Sequence, residues 1–132
     1  MKSYITEREN EQQKSEQRKW YYSQLHTISY YYPTVKSITI CYHQVYRSAF
    51  GTTDREKVLH YDTTSRDDFL IECLNRECTS IGYNLKYIIS DMVAHKETKK
   101  KDKIDCEGSE APDHMYQRCG SCLYYEIIII YK

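Results

Sequence analysis

The segment 35–46 alternates apolar with polar residues, and this period of two predicts a β-strand with one buried face. Turn-forming residues follow at 48–54, and the segment 57–61 is long enough for a returning strand, so a hairpin is expected. After another turn, the apolar run 69–73 predicts a third strand that ends at Cys73.

The clearest helix follows Cys78, because five apolar residues recur on one helical face: Leu85, Ile88, Ile89, Met92 and Val93. Asn84 is a suitable N-cap for this helix. The next segment, 96–103, carries five lysines in eight residues and is expected to be an exposed connection.

Two further strands are predicted after these lysines. Residues 104–107 form a short one that carries Cys106, and Gly108 then turns the chain into a polar loop. Residues 123–131 are β-branched and aromatic throughout, which is typical of a central strand covered on both faces. The predicted fold class is α+β: an antiparallel β-sheet or small β-sandwich with one packed amphipathic helix.

The chain divides into a polar and an apolar part. Residues 1–19 carry charged and amide side chains without an apolar stripe, so a mobile or weakly helical N-terminal arm is expected there. Apolar mass begins at Trp20, and residues 20–132 are expected to form a single α+β domain.

Composition and charge limit where the protein is expected to be located and what it is expected to bind. Nineteen basic and nineteen acidic side chains cancel, so no net positive field draws the chain to nucleic acids or membranes. The first residues lack the apolar core of a secretory signal, and the longest apolar run, 127–130, is far too short to span a membrane. A cytoplasmic location without membrane contact is expected, where metal ligation or free thiols explain the six cysteines better than disulfides do.

Four cysteines at the ends of predicted elements form the strongest chemical pattern: Cys73, Cys78, Cys106 and Cys119. Structural zinc takes four thiolate or imidazole ligands, commonly delivered as close pairs separated by an intervening element. Cys73 and Cys78 have four residues between them, with Asn75 in the predicted turn. The pattern predicts a zinc-ribbon-like site in which the four cysteines hold a structural Zn²⁺.

Two residues leave other ligand sets open. Cys119-Gly-Ser-Cys122 is itself a C-x2-C pair, although Cys122 adjoins the apolar strand and a buried small hydrophobe is the preferred interpretation for it. His114 lies between Cys106 and Cys119 and is a lesser alternative. Four thiolates leave no open coordination position for water, so a structural role is favoured over a catalytic one.

The order F-x3-C-x4-C, G-Y-x-L, C-x-G-x-E and R-C-x3-L-x-Y-x-I-x-I-x-Y resembles a group of small uncharacterised bacterial and mobile-element proteins. The matching positions are Phe69, Cys73, Cys78, Gly82, Tyr83, Leu85, Cys106, Gly108, Glu110, Arg118, Cys119, Leu123, Tyr125, Ile127, Ile129 and Tyr131. The resemblance covers about the C-terminal half. It supports the ligand choice, makes Cys122 an extra cysteine, and implies no activity because none is assigned to that group.

Two other patterns suggest chemistry of a weaker kind. Cys41 and His43 lie two apart on one predicted strand face, but with no third group a partly buried strand face is favoured over a nucleophile and base. The lysine segment can contact phosphates through Lys99, Lys100 and Lys101, and the tyrosines at 30–32 can stack on bases. Acidic residues within the lysine segment favour a solvated loop instead.

Functional hypotheses follow from what the sequence carries and lacks. The sequence has four glycines and contains neither of the glycine-rich motifs that bind nucleotides. The leading hypothesis is a non-enzymatic, zinc-stabilised protein-interaction module with a protein partner, and an inhibitor encoded by a phage or mobile element would be a natural use of it. The alternative is a single-stranded nucleic-acid-binding module that uses the lysine loop and exposed tyrosines. A thiol-dependent enzyme at Cys41 or at Cys119 and Cys122 ranks third, and the sequence does not decide the oligomeric state.

Overall fold

The computed structural model describes residues 6–112 and 117–132. The elements in chain order are helix α1 (Glu7–Ser23), helix α2 (Ile28–Tyr31), strand β1 (Val35–Ser48), strand β2 (Gly51–Tyr61), strand β3 (Leu70–Ile71), strand β4 (Tyr83–Asn84), helix α3 (Lys86–Ala94), strand β5 (Lys99–Asp105) and strand β6 (Ser121–Tyr131). A four-stranded antiparallel sheet has the order β2-β1-β6-β5, and β3 pairs with β4 in a small second sheet. The predicted α+β class and antiparallel sheet are confirmed.

The first hairpin is longer than the sequence predicted. β1 and β2 pair from Ile38 opposite Tyr61 to Ser48 opposite Gly51, so most of the predicted turn at 48–54 belongs to the return strand. Gly51 has a φ of 136°, a conformation that favours glycine at the turn. The outer part of β2 is exposed on both faces, and it therefore lacks the apolar alternation from which a strand is predicted.

Strand β6 is central, as predicted, but only one of its faces is covered. Ile127 and Ile129 are 0% and 1% exposed, whereas Ile130 is 53% exposed. The prediction of cover on both faces was wrong because the apolar core lies on one side of the four-stranded sheet. The other side, which we call the open face, is exposed in part.

The lysine segment is also not the predicted connection. Lys99 to Asp105 form the edge strand β5, paired along its length with β6. Its exposure differs little between the two faces, so its own sequence has no strand periodicity. Lysines on an edge strand discourage the pairing of another strand with that edge. This role explains why β5 is rich in lysine although it belongs to a sheet.

The core is formed where the helices and the small sheet meet the covered face. Its largest fully buried side chains are Phe69, Ile28, Ile38, Ile40, Leu85, Ile89, Met92, Leu123, Ile127, Ile129, Gln44 and Val35. The predicted amphipathic helix is α3, although Leu85 is its N-cap and Asn84 only accepts a hydrogen bond from the Lys86 N–H at 3.1 Å. The described residues hold three helices where the sequence predicted one packed helix.

Helix α1 crosses the predicted boundary at residue 20 and packs through polar side chains. Thr6 caps it by accepting a hydrogen bond from the Glu9 N–H. Asn10, Lys14 and Tyr21 are buried along one side of the helix, at the spacing of successive turns. Among the described residues, no helix is both long and apolar enough to cross a membrane.

Candidate metal centre

The four predicted ligands, Cys73, Cys78, Cys106 and Cys119, come together in the structure. Their sulfur atoms all lie within 4.8 Å of one another. Three of them lie just outside a strand: Cys73 follows β3, Cys106 follows β5 directly and Cys119 precedes β6. Cys78, Cys106 and Cys119 are buried and Cys73 is half-buried, so the cluster has one side near solvent.

The sulfur spacing fits a tetrahedral metal. Cys73 and Cys119 have their Sγ atoms 3.6 Å apart, and so do Cys78 and Cys106. A zinc ion with four Zn–S bonds of about 2.3 Å separates its sulfurs by about 3.8 Å. A disulfide would require about 2.05 Å. All four thiols are free, and their separations match shared coordination of one ion.

The loop between Cys73 and Cys78 is organised by Asn75, which is 7% exposed. The Cys78 N–H donates to the Asn75 carbonyl at 3.1 Å, and the Asn75 side-chain amide donates to the Glu110 carbonyl at 2.6 Å. The same amide lies 3.7 Å from the Cys119 sulfur. Asn75 therefore closes its own turn and ties it to the second half of the site.

The second half is a tight loop around Gly108. The Cys119 N–H donates to the Gly108 carbonyl at 2.9 Å, which holds the two arms of this loop together. A Cβ atom at Gly108 would overlap the Cys78 sulfur and Ser80, so only glycine fits there without a shift. The Ser80 N–H in turn points at the Cys78 sulfur at 3.4 Å, and such a donor stabilises thiolate charge.

A buried polar network anchors the cluster to the sheet. The Gln44 side chain of β1 accepts a hydrogen bond from the Leu74 N–H at 2.8 Å and donates to the Glu72 carbonyl at 2.9 Å. Ser121 also donates to Gln44, and Tyr83 donates to Ser121 at 2.6 Å. Gln44 was not among the predicted site residues, although it is a polar residue on the predicted buried face of β1.

Helix α1 covers the outside of the Cys73–Cys78 loop. The Lys14 ammonium donates to the Arg76 carbonyl at 2.8 Å, and the Asn10 amide lies 3.4 Å from the carbonyls of Glu77 and Cys78. Asn10 and Lys14 are each 3% exposed. Since loop carbonyls that face away from a metal need donors, these contacts complete the packing of the loop.

The four thiols of the cluster shift one another's pKa values. Hydrogen bonds from the Cys106 thiol lower the pKa values of Cys73, Cys78 and Cys119. Its interactions with Cys119 and the other two sulfurs raise the pKa of Cys106 itself well above its usual value. Four thiolates so close together would repel one another, and a divalent ion at their centre would offset that repulsion and displace the last proton.

Of the alternative ligands, Cys122 stands apart from this cluster. Cys122 is buried on β6 opposite Val45, and burial raises the pKa of its thiol. His114 falls outside the described residues. Cys41 is half-buried, and the neighbouring His43 places its Nε2 atom 2.9 Å from a carboxylate oxygen of Asp54. The ring nitrogens of His43 lie nearest two carboxylates of β2, those of Asp54 and Glu56.

The lysines proposed for nucleic-acid contact lie on two sides of a strand. Lys99 and Lys101 are on the open face of β5, and Lys100 points to the opposite face. Of the tyrosines at 30–32, Tyr32 is buried with its hydroxyl 2.8 Å from Ser90, and Tyr30 stacks on a histidine ring. Instead of forming a single loop with free aromatic rings, these residues are divided among different parts of the fold.

Comparison with known proteins adds no relative: no family model, curated protein or solved structure matches this chain. The resemblance to small bacterial and mobile-element proteins therefore stays a prediction.

Proposed function

We propose that Cys73, Cys78, Cys106 and Cys119 hold one structural Zn²⁺ and that the protein is a non-enzymatic protein-interaction module. The observation that carries the metal assignment is the set of four sulfurs within 4.8 Å, three of them buried. Four soft thiolates at tetrahedral spacing favour zinc, with iron as the competitor. Ligands that frame strand ends, in the manner of a zinc ribbon, suit a structural centre.

A structural rather than catalytic role is supported by the closed ligand set. A catalytic zinc keeps one position for water and usually has three protein ligands. Here a fourth sulfur fills that position, and glycine packing at Gly108 leaves little space beside Cys78. The ion would join the chain after β3, after β5 and before β6, so that ligation energy becomes folding stability.

The interaction role rests on the open face of the sheet. Tyr124, Ile130 and Val58 are 41%, 53% and 68% exposed on this face. Exposed apolar side chains on a face framed by charged strands are typical of a contact surface. A rigid sheet, held at one end by the metal centre, would present this surface to a protein partner in a reducing compartment such as the cytoplasm.

The metal assignment is tested by replacing each cysteine with serine. We expect substitutions at Cys73, Cys78, Cys106 and Cys119 to abolish retention of zinc through gel filtration and to lower the melting temperature. Cys122→Ser and Cys41→Ser are the matched controls, because both residues lie outside the cluster, and they should retain the metal. Loss of zinc from the Cys122 variant with retention in the Cys106 variant would move the site to the alternative ligand set.

A further inference from the structure

The open face of the sheet carries opposite charges along its two edges. Strand pairing places Lys99, Lys101, Lys103 and Asp105 on this face at the β5 edge, and Asp54 and Glu56 at the β2 edge. Between the edges, β1 contributes Thr39, Cys41 and His43, and β6 contributes Tyr124, Glu126, Ile128 and Ile130. The face therefore has a mainly basic edge, a mixed centre with exposed apolar and aromatic side chains, and an acidic edge.

The charges run along defined cross-strand rows. In one row Lys103 is opposite Tyr124, Tyr124 is opposite His43, and His43 is opposite Glu56. In the next row Lys101 stands opposite Glu126, followed by Cys41 and Val58. An open depression crosses all four strands at these rows.

Lys103 and Glu56, the charged residues at the two ends of the first row, are free of strong ion pairs within the described residues. Within the described part of the chain, Lys103 and Lys101 form no ion pair, and Glu56 reaches only His43 at 4.0 Å. Lys99 is the lysine of this edge that is paired, with Glu126 at 3.7 Å. Lys103 and Glu56 can therefore each accept a partner from outside the chain.

We propose that the open face binds a second copy of this chain, face to face, around a twofold axis parallel to the strands. Such an axis lays β5 of each copy over β2 of the other and keeps each cross-strand row in register. Lys103 of each copy then faces Glu56 of its partner, on both sides of the shared centre. This proposal rests on the interaction role proposed above.

The charge pattern selects this arrangement over the other twofold. An axis perpendicular to the strands would lay β5 on β5 and bring the lysine edges of the two copies together, which repels. Another row runs from Asp105 to Asp54, on the other side of the first row from Lys101. In the preferred arrangement it sets Asp105 of each copy opposite Asp54 of its partner. The Asp54 carboxylate also lies 2.9 Å from the Nε2 atom of His43 in its own chain.

A polyanion fits the face less well than a second copy. The three lysines share it with four carboxylates, those of Asp54, Glu56, Asp105 and Glu126. A phosphate chain laid across the face would meet this acidic edge, whereas a second copy turns the same edge into an attraction.

The size of the face sets the expected affinity. Four strands about 4.8 Å apart and seven residues about 3.4 Å apart give a projected area of roughly 450 Å² per copy. Two such faces bury on the order of 900 Å², at the small end of specific interfaces. A reversible dimer with a dissociation constant in the micromolar range is expected.

The test is sedimentation equilibrium of the full chain from about 1 to 500 μM, the range over which an interface of this size should assemble. We expect a monomer–dimer equilibrium that Lys103→Glu and Glu56→Lys each weaken by at least about tenfold, since each places like charges at two symmetric contacts. Arg55→Glu changes an exposed charge on the opposite face of β2, outside the depression, and should leave the equilibrium unchanged.

Mixing the two variants gives the sharpest result. Lys103→Glu in one copy meets Glu56→Lys in the other, and the unaltered Glu56 and Lys103 meet as well, so the mixture should dimerise again. A wild-type chain that stays monomeric throughout, or a mixture that stays dissociated, would overturn the proposal.

Two further readouts separate this proposal from the metal site and from nucleic acid. Native mass spectrometry of the same samples reports bound zinc and dimer independently, so either can fail alone. Fluorescence anisotropy with a single-stranded oligonucleotide should show no binding at low salt; salt-sensitive binding lost in Lys103→Glu would assign the face to nucleic acid instead.

Discussion

Replacing Lys14 with methionine tests whether α1 is part of the folded domain. The Lys14 side chain is 3% exposed, and its ammonium donates to the Arg76 carbonyl at 2.8 Å. A hydrogen bond of this charged kind contributes about 1.5–3 kcal/mol. Methionine keeps the apolar stem and removes the desolvated charge, which offsets part of the loss. We therefore expect Lys14→Met to lower the free energy of unfolding by about 1–2 kcal/mol.

The expected change is measurable by heat and by hydrogen exchange. For a domain of this size, 1 kcal/mol corresponds to a shift of roughly 3–5 °C in melting temperature. The amides of α1 should also exchange faster, because the helix loses its attachment to the Cys73–Cys78 loop. Lys19→Met, at an exposed position of the same helix, is the control. Equal melting temperatures and equal exchange in the two variants would refute the packing of α1 through Lys14.

Three further predictions concern the site, the sheet and α3. Gly108→Ala should speed the release of zinc to a colorimetric chelator, because its Cβ would overlap the Cys78 sulfur; unchanged release would contradict the close packing. Ile127→Ala should cost about 2–5 kcal/mol in chemical denaturation and Ile128→Ala much less, since only the first is fully buried. In an NMR titration, the pKa of His95 should lie above its ordinary value, raised by a hydrogen bond to a backbone carbonyl of α3. The resulting stabilisation is present below the unfolded pKa and is lost as pH rises through the folded one; a value at or below the ordinary one removes this contribution.

Strand β1 was predictable from sequence because its side chains alternate between a buried and an open face, and strand β6 because its residues are β-branched and aromatic throughout. The cysteines were predictable as a group because they lie at element ends. In both cases the information is local: a period of two along a strand, or a short spacing between thiols.

Other features depend on contacts distant in the chain. β5 is a strand because it pairs with β6, not because its lysines favour one. α1 packs through Asn10 and Lys14, which donate to loop carbonyls more than sixty residues away in the sequence. The helix has no apolar stripe from which this packing could be predicted. The open side of β6 depends on how many helices reach the sheet, which its own isoleucines do not encode.

X-ray absorption spectroscopy at the zinc edge shows whether one zinc ion is bound by four sulfurs in this protein. The protein as purified should contain one zinc per chain. Its spectrum should fit four sulfur neighbours at about 2.3 Å, with no nitrogen or oxygen ligand. A folded protein without zinc, or a spectrum that requires nitrogen or oxygen in place of a cysteine sulfur, would contradict the account.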